Sequence, residues 1–196
     1  MATGTGETQP VCNLSTTSLT YGLVTTGQSV DQSFTITNGG GGTLSGSVTE
    51  SCQAYTIIAG AGGFGLMSGN SRIVTIRFSP TTFGAQNCAI DLGTACAIDV
   101  QATGTGAAGF ASSVRPILIA SGCNNLGCHD GVAVVDLTIY SNATPYGNTG
   151  NPPASPILTR PGAPTGDHSG GSFANFQTGQ TDYNTVLTWI QQGLRP

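Results

Sequence analysis

The sequence predicts two domains. An all-β antiparallel sandwich over residues 7–106 is followed by a small, loop-rich, mainly α domain over residues 111–196, with a linker at 107–110. Three observations point there. The first half alternates polar and apolar residues with period 2, broken by Gly- and Pro-rich turns. The alternation stops at Gly106-Ala107-Ala108-Gly109. Near the end, Tyr183, Val186, Leu187 and Ile190 recur at helical spacing. A length of 196 residues allows one or two domains at roughly 100–200 residues each.

The strands follow in order. Ser33-Phe34-Thr35-Ile36-Thr37 alternates cleanly, and Asn38-Gly39-Gly40-Gly41-Gly42 then turns the chain. Val74, Ile76 and Phe78 share one face of the run 71–79, with Thr75 and Arg77 on the other, and Pro80 ends it. Cys88, Ile90 and Leu92 alternate with Ala89 and Asp91. After Gly93-Thr94, Ile98, Val100 and Ala102 alternate with Asp99 and Gln101, which reads as a hairpin. About seven such strands make an antiparallel sandwich.

In the second half, Val114, Ile117 and Leu118 sit at i, i+3 and i+4, with Ser112 or Ser113 as N-cap and Pro116 early in the helix. Residues 141–180 are rich in Asn, Pro, Gly and Ser and read as long loops, a length that normally needs a ligand or function to order it. Asp182 can cap the last helix and Gly193 can end it.

Composition excludes several functions. Charged residues are 7%, against a typical ~25%. There is no Lys, and the five cations are Arg72, Arg77, Arg115, Arg160 and Arg195. With a net charge of −4, the chain cannot neutralise many phosphates, which excludes nucleic-acid binding. No apolar run approaches the ~18 residues of a membrane span. Six cysteines, low charge and abundant Gly, Ser and Thr suit an oxidising setting: periplasmic, cell-surface or extracellular. Met1-Ala2-Thr3-Gly4 has neither a basic nor an apolar leader region, so the start reads as a processed or arbitrary end. Ala2-Thr3-Gly4-Thr5-Gly6 recurs as Ala102-Thr103-Gly104-Thr105-Gly106, which reads residues 1–6 as the tail of a preceding repeat or an arbitrary start.

Cys12, Cys52, Cys88 and Cys96 all fall in the first domain and are disulfide candidates with three possible connectivities. An 88–96 pair is conceivable if Leu92-Gly93 is the turn. A four-Cys zinc site lacks the paired C-x2-C spacing. The run Leu19-Thr20-Tyr21-Gly22-Leu23-Val24-Thr25-Thr26-Gly27-Gln28 resembles the opening of hydin-type immunoglobulin-like domains. Phe34-Thr35-Ile36-Thr37-Asn38, Arg77-Phe78-Ser79-Pro80 and the closing Thr103-Gly104-Thr105-Gly106 extend that resemblance over residues 12–106. It implies a spacer or interaction module and no chemistry.

Cys123-Asn124-Asn125-Leu126-Gly127-Cys128-His129 is the chemically loaded motif. C-x4-C-H is a longer form of the C-x2-C-H haem attachment site. Two thiols add across the haem vinyl groups, and the adjacent His129 is held beneath the iron. For the sixth ligand, the usual choices are Met or His. The only methionines, Met1 and Met67, lie outside this domain, and His168 is the one other histidine. The surroundings resemble a family of short bacterial c-type cytochrome domains, common in planctomycete surface proteins, over residues 110–195. Phe110, Val114-Arg115-Pro116-Ile117-Leu118, Ser155-Pro156-Ile157-Leu158, His168-Ser169-Gly170-Gly171 and the set Tyr183, Trp189, Ile190 and Gly193 carry it. The four-residue spacer, Val186-Leu187 within the last helix and the long Gly/Asn/Pro loop depart from the family pattern.

The resulting expectation is an immunoglobulin-like sandwich followed by a cytochrome c-like domain. It would carry one haem c, covalent through Cys123 and Cys128, with His129 and His168 as iron ligands. Arg115 and Arg160 would meet the propionates. Leu118, Leu158 and Trp189 would line the haem, although ordinary core packing explains them equally. The function expected is single-electron transfer by a low-potential, bis-His, secreted or surface cytochrome, not an enzyme. Its partner would be a redox protein or a neighbouring haem domain, with assembly into a surface fibre as a further expectation. The alternatives are a cofactor-free, disulfide-stapled surface or adhesion protein, an open-site haem enzyme or sensor, and a zinc site at Cys123, Cys128, His129 and His168.

Overall fold

A computed structural model of the chain describes residues 8–123, 136–161 and 174–196. It divides into two compact units, Met1–Gly106 and Ala107–Pro196. The first is a β-sandwich built from nine strands: β1 Cys12–Leu14, β2 Ser18–Thr25, β3 Val30–Asn38, β4 Thr43–Val48, β5 Tyr55–Ala59, β6 Gly62–Met67, β7 Ser71–Phe78, β8 Gly84–Ile90 and β9 Val100–Ala107. They form a four-stranded sheet in the order β1-β3-β7-β5, a three-stranded sheet β2-β9-β8 and a pair β4-β6.

The alternation in the sequence builds these sheets directly. In β3, Phe34 and Ile36 are buried, and their register partners on β7 are Val74 and Arg72. Val74, Ile76 and Phe78 are each fully buried on β7. Their cluster takes in Leu19, Leu44, Val48, Phe64, Ile90 and Val100, so all three sheets feed one core. The outward residues form hydroxyl pairs: Ser33 with Thr75 at 2.9 Å and Thr37 with Ser71 at 2.8 Å. Beside them Arg77 clamps Asp31 bidentately, Nε to Oδ1 at 2.7 Å and Nη2 to Oδ2 at 2.8 Å. Hydroxyl ladders and this single cross-strand ion pair make the face polar with little charge.

The expected hairpin forms, with β8 and β9 paired antiparallel, but its tight turn is corrected. Cys88 opposes Ala102 and Ile90 opposes Val100, leaving residues 91–99 as a connection rather than a tight turn. Asp91 Oδ1 accepts the Gly93 N–H at 2.7 Å and starts a 3-10 turn at Gly93–Ala95. Ile98 therefore lies 55% exposed instead of sharing the buried face of β9.

Two glycines of β9 are required by close approach. A Cβ on Gly104 would stand 2.6 Å from the Phe78 ring, and one on Gly106 would meet the Thr82 carbonyl oxygen at 1.9 Å. The Thr-Gly-Thr-Gly closure thus brings β9 against Phe78 and the 80–82 segment. Its copy at residues 2–6 lies outside the described residues.

Asn38 ends β3 and is fully buried. Its Oδ1 accepts the N–H groups of Val11 at 3.1 Å and Gly40 at 3.0 Å. Its Nδ2 donates to the carbonyls of Gly42 at 3.1 Å and Leu66 at 2.9 Å. One amide therefore fixes the entry to β1, the glycine turn and β6, with every donor and acceptor position used.

The second unit has its own core. A π-type turn at Phe110–Val114 runs into α1 Arg115–Ala120. Short helices α2 Tyr140–Ala143 and α3 Pro156–Thr159 precede α4 Thr181–Gln191. Val114 occupies the N-cap position of α1, and neither Ser112 nor Ser113 does. Asp182 lies inside the first turn of α4, where its Oδ2 accepts from Asn175 Nδ2 at 2.5 Å, rather than at the cap. Both α1 and α4 end in Schellman geometry. Gly122 (φ 68°) brings the Cys123 N–H to Leu118 O at 2.9 Å, and Gly193 (φ 89°) brings the Leu194 N–H to Trp189 O at 3.0 Å. Among the described residues the regular elements of this unit are short helical segments, and the expected helical cytochrome c-like domain is not shown.

Replacing Asn38 by Ala orphans two N–H donors and two carbonyls. At ~1–3 kcal/mol per unsatisfied buried group, partly relieved by water entry, the sandwich should lose about 3 kcal/mol. Urea denaturation followed by far-ultraviolet dichroism measures this. A loss under about 1 kcal/mol would show that the four bonds are dispensable.

Candidate functional site

The first unit is closed by two cystines. Cys12 on β1 bonds Cys96 in the 91–99 connection, with Cα atoms 5.3 Å apart and a sequence separation of 84. Cys52, in the approach to β5, bonds Cys88 on β8, with Cα atoms 5.8 Å apart and a separation of 36. Each therefore joins an edge of the four-stranded sheet to the chain of the three-stranded one, and the 52–88 loop is nested inside the 12–96 loop. An 88–96 pair is not formed. The pattern follows from the folds around it: pairing of β1 with Asn38 brings Cys12 to the sheet edge, and the 3-10 turn after Asp91 delivers Cys96 in extended conformation. Restricting the unfolded chain by loops of these lengths is worth roughly 4 kcal/mol each in the chain-entropy model.

Around the outer cystine lies an open groove of about 480 Å³, lined by Cys12–Leu14, Thr17 and Cys96–Ile98. Glu50, Cys52 and Cys88 bring potential metal-ligand atoms within 4.8 Å of one another. Both sulfurs there are spent in a disulfide, which offers no thiolate, and Glu50 Oε2 instead accepts the Cys52 N–H at 2.8 Å. That cluster is structural.

Two tyrosines cross between the sheets. Tyr21 of β2 donates its hydroxyl to Ile76 O at 2.8 Å, and Tyr55 of β5 donates to Gln86 O at 2.7 Å. Their rings meet Phe78, Tyr55 stacked at 4.7 Å and Tyr21 tilted at 5.5 Å. Burial pushes the Tyr55 hydroxyl up to about 12. Burial, then the neighbouring Tyr55 and Asp31, drive Tyr21 further above the ordinary tyrosine value. Arg72 is a second cross-tie: its guanidinium donates to the carbonyls of Gly60, Ala61 and Gly63 and holds the β5–β6 turn. None of these roles was read from the sequence, because each partner is a backbone carbonyl far away along the chain.

The residues expected around a haem are placed otherwise. Leu118, Leu158 and Trp189 are 0–1% exposed and pack together with Phe110, Val114 and Phe176 as the core of the second unit. Trp189 is tilted against Phe110 at 5.6 Å and donates its indole N–H to Arg195 O at 2.6 Å. Arg115 and Arg160 are exposed. Cys123 is buried in the same cluster. Cys128, His129 and His168 lie outside the described residues, as does the zinc set built on them.

No family model matches the chain, and no curated protein matches it. Solved structures do. The PapD-like domain 7 of human CEP192 aligns at a TM-score of 0.41 and 14% identity, covering 50% of this chain and 85% of that one. A Porphyromonas gingivalis protein of unknown function aligns at 0.39 and 23%, covering 49% of this chain and 46% of that one, so the chain spans under half of that protein's length. WR4, a Caenorhabditis elegans MSP family member, aligns at 0.35 and 12%, covering 49% of this chain and 97% of that one.

The haem expectation is corrected on these findings. The first unit is a disulfide-stabilised β-sandwich. Among the described residues no cytochrome c fold is shown. The side chains assigned to a haem wall, and Cys123 with them, pack together in the core of the second unit. Covalent haem c through Cys123 and Cys128, iron ligation and electron transport are withdrawn. No helix among the described residues is long and apolar enough to cross a membrane. The two cystines point to an oxidising compartment.

The tyrosine shifts carry a pH dependence. The folded state holds these hydroxyls neutral, so its advantage is full below the ordinary tyrosine value near 10 and is lost as pH rises from there towards about 12. Spectrophotometric titration, compared with Tyr21→Phe and Tyr55→Phe variants, should leave Tyr21 and Tyr55 silent until the sandwich unfolds in alkali. Ionisation of Tyr21 or Tyr55 near 10 in folded protein would contradict the buried cross-ties.

Proposed function

We propose that the chain is a cofactor-free, disulfide-stapled module of an exported protein, periplasmic, cell-surface or extracellular, which serves as a spacer or adhesion element rather than as an enzyme. The observation that carries this reading is the nested pair of cystines closing opposite edges of one sandwich. Such bonds persist where glutathione and thioredoxin do not reduce them. The surface supports the same role. Its hydroxyl pairs and single bidentate ion pair suit contact with other polar surfaces. An absence of Lys removes the strongly hydrated ammonium groups that would otherwise dominate it.

The partner in this reading is another surface or matrix molecule met through shape and hydroxyl contacts. A second copy of the chain is one candidate for that role.

Two measurements test the reading together. Protease added to intact producing cells should remove the protein, and alkylation before lysis should find Cys12, Cys52, Cys88 and Cys96 blocked until a reductant is added. Protein confined to the cytosol with those four thiols reactive would overturn it. The purified protein should absorb near 280 nm through Trp189 and the tyrosines and show no visible band. A visible chromophore retained after denaturation would overturn the cofactor-free part.

A further inference from the structure

The order of the cystines along the chain has a mechanical meaning. β1 is the first strand of the sandwich and β9 the last, so tension along the chain enters just before Cys12 and leaves through β9. The Cys12–Cys96 bond joins these two points with Cα atoms 5.3 Å apart. We propose that the sandwich is an inextensible link, in which load passes from residues 8–11 through the Sγ–Sγ bond to residues 97–106 and bypasses everything between. This deepens the proposed spacer role and rests on it for its biological setting.

Three features support it. The ring spans 84 residue steps, almost the whole unit, whereas a cystine placed to stabilise a loop need not reach from the first strand to the last. The inner Cys52–Cys88 bond lies wholly inside the ring and therefore bears no load while the outer one is intact. The stretch left in the load path is itself held. β9 is the central strand of its sheet, in register with β8 from Val100 to Gly106. Its glycines are pressed against Phe78 and Thr82, so it resists being drawn out. If residues 8–11 and 97–106 did yield, they would lengthen the chain by at most roughly 50 Å at ~3.5 Å per residue.

Single-molecule stretching of the full chain, held by peptide tags at its two ends, tests this. The readout is the fully stretched length, which does not depend on whether a variant folds. The Cys12→Ser/Cys96→Ser protein should stretch further than the wild type. The gain is the 84 steps of the outer loop less the 36 still closed by the inner one, roughly 170 Å at ~3.5 Å per residue. Cys52→Ser/Cys88→Ser should match the wild type. Replacing all four should add roughly 290 Å, the whole outer loop.

Equal lengths for wild type and Cys12→Ser/Cys96→Ser would overturn the proposal, as would lengthening by Cys52→Ser/Cys88→Ser alone. A wild type that lengthens by far more than roughly 50 Å beyond the stretch that residues 107–196 of the second unit themselves give up would do so too. The stretching result is independent of where the protein resides. A cytosolic location with the lengths as stated would sink the surface reading and leave the inextensible link standing.

Discussion

The bond between Cys12 and Cys96 is the constraint around which the sandwich is organised. β1 is only three residues long and lies at a sheet edge, where a short strand has little ladder to hold it. The cystine fixes one of those three residues to the other sheet's chain, and Asn38 fixes the residue before it through Val11. With that end anchored, the glycine turn after Asn38 and the β6 backbone are drawn to the same amide. Covalent and hydrogen-bonded closure meet at one corner. The opposite edge repeats the arrangement with Cys52–Cys88 and the Tyr55 hydroxyl on Gln86.

How much of this could be read from the sequence depends on the range of the interaction. Alternation is local, and it placed Phe34, Ile36, Val74, Ile76 and Phe78 on buried faces correctly. The 88–102 hairpin is present, but its turn and the placement of Ile98 were misread for a definable reason. Leu92 does continue the buried alternation, and it is fully buried. Asp91 then accepts the Gly93 N–H and diverts the backbone into a 3-10 turn, which sends Cys96 toward β1 and leaves Ile98 outside. Pairing partners lie 36 and 84 residues apart, beyond any local signal, so three connectivities stayed open. Asn38 reads as the start of a glycine turn, which it is. That its side chain also closes β1 and β6 follows only from their arrival beside it.

The second unit shows a different limit. Tyr183, Val186 and Ile190 are buried along α4 and Gly193 ends it, all legible from spacing. The same spacing cannot say what the apolar face meets. Leu118, Leu158 and Trp189 are the residues a cofactor wall would use, and equally those a small core would use, because both need flat or branched apolar groups shielded from water. Here Trp189 meets Phe110, and its one polar atom is satisfied by a backbone carbonyl set in place by the helix-ending glycine. A motif with cysteine and histidine at near-haem spacing invites the cofactor reading. The packing of its supposed wall, Leu118, Leu158 and Trp189, into one cluster with Phe110, Val114 and Phe176 takes the support from it.

Low charge links the chemistry of the surface to the covalent closure. A chain without Lys has no side-chain amine with which to build an amide cross-link, and among the described residues a single ion pair is available to clamp strands. Exposed ion pairs contribute ~0–1 kcal/mol each in any case. The remaining means of holding a sandwich closed are core packing, saturated buried amides and cystines, and this unit uses all three at its edges. Core packing and hydrogen bonds yield to sustained force because each can be broken in sequence, whereas a covalent bond from the first strand to the connection before the last cannot be bypassed. The composition therefore favours a module whose resistance lies in where its cysteines stand along the chain, with the hydroxyl face left free for contact.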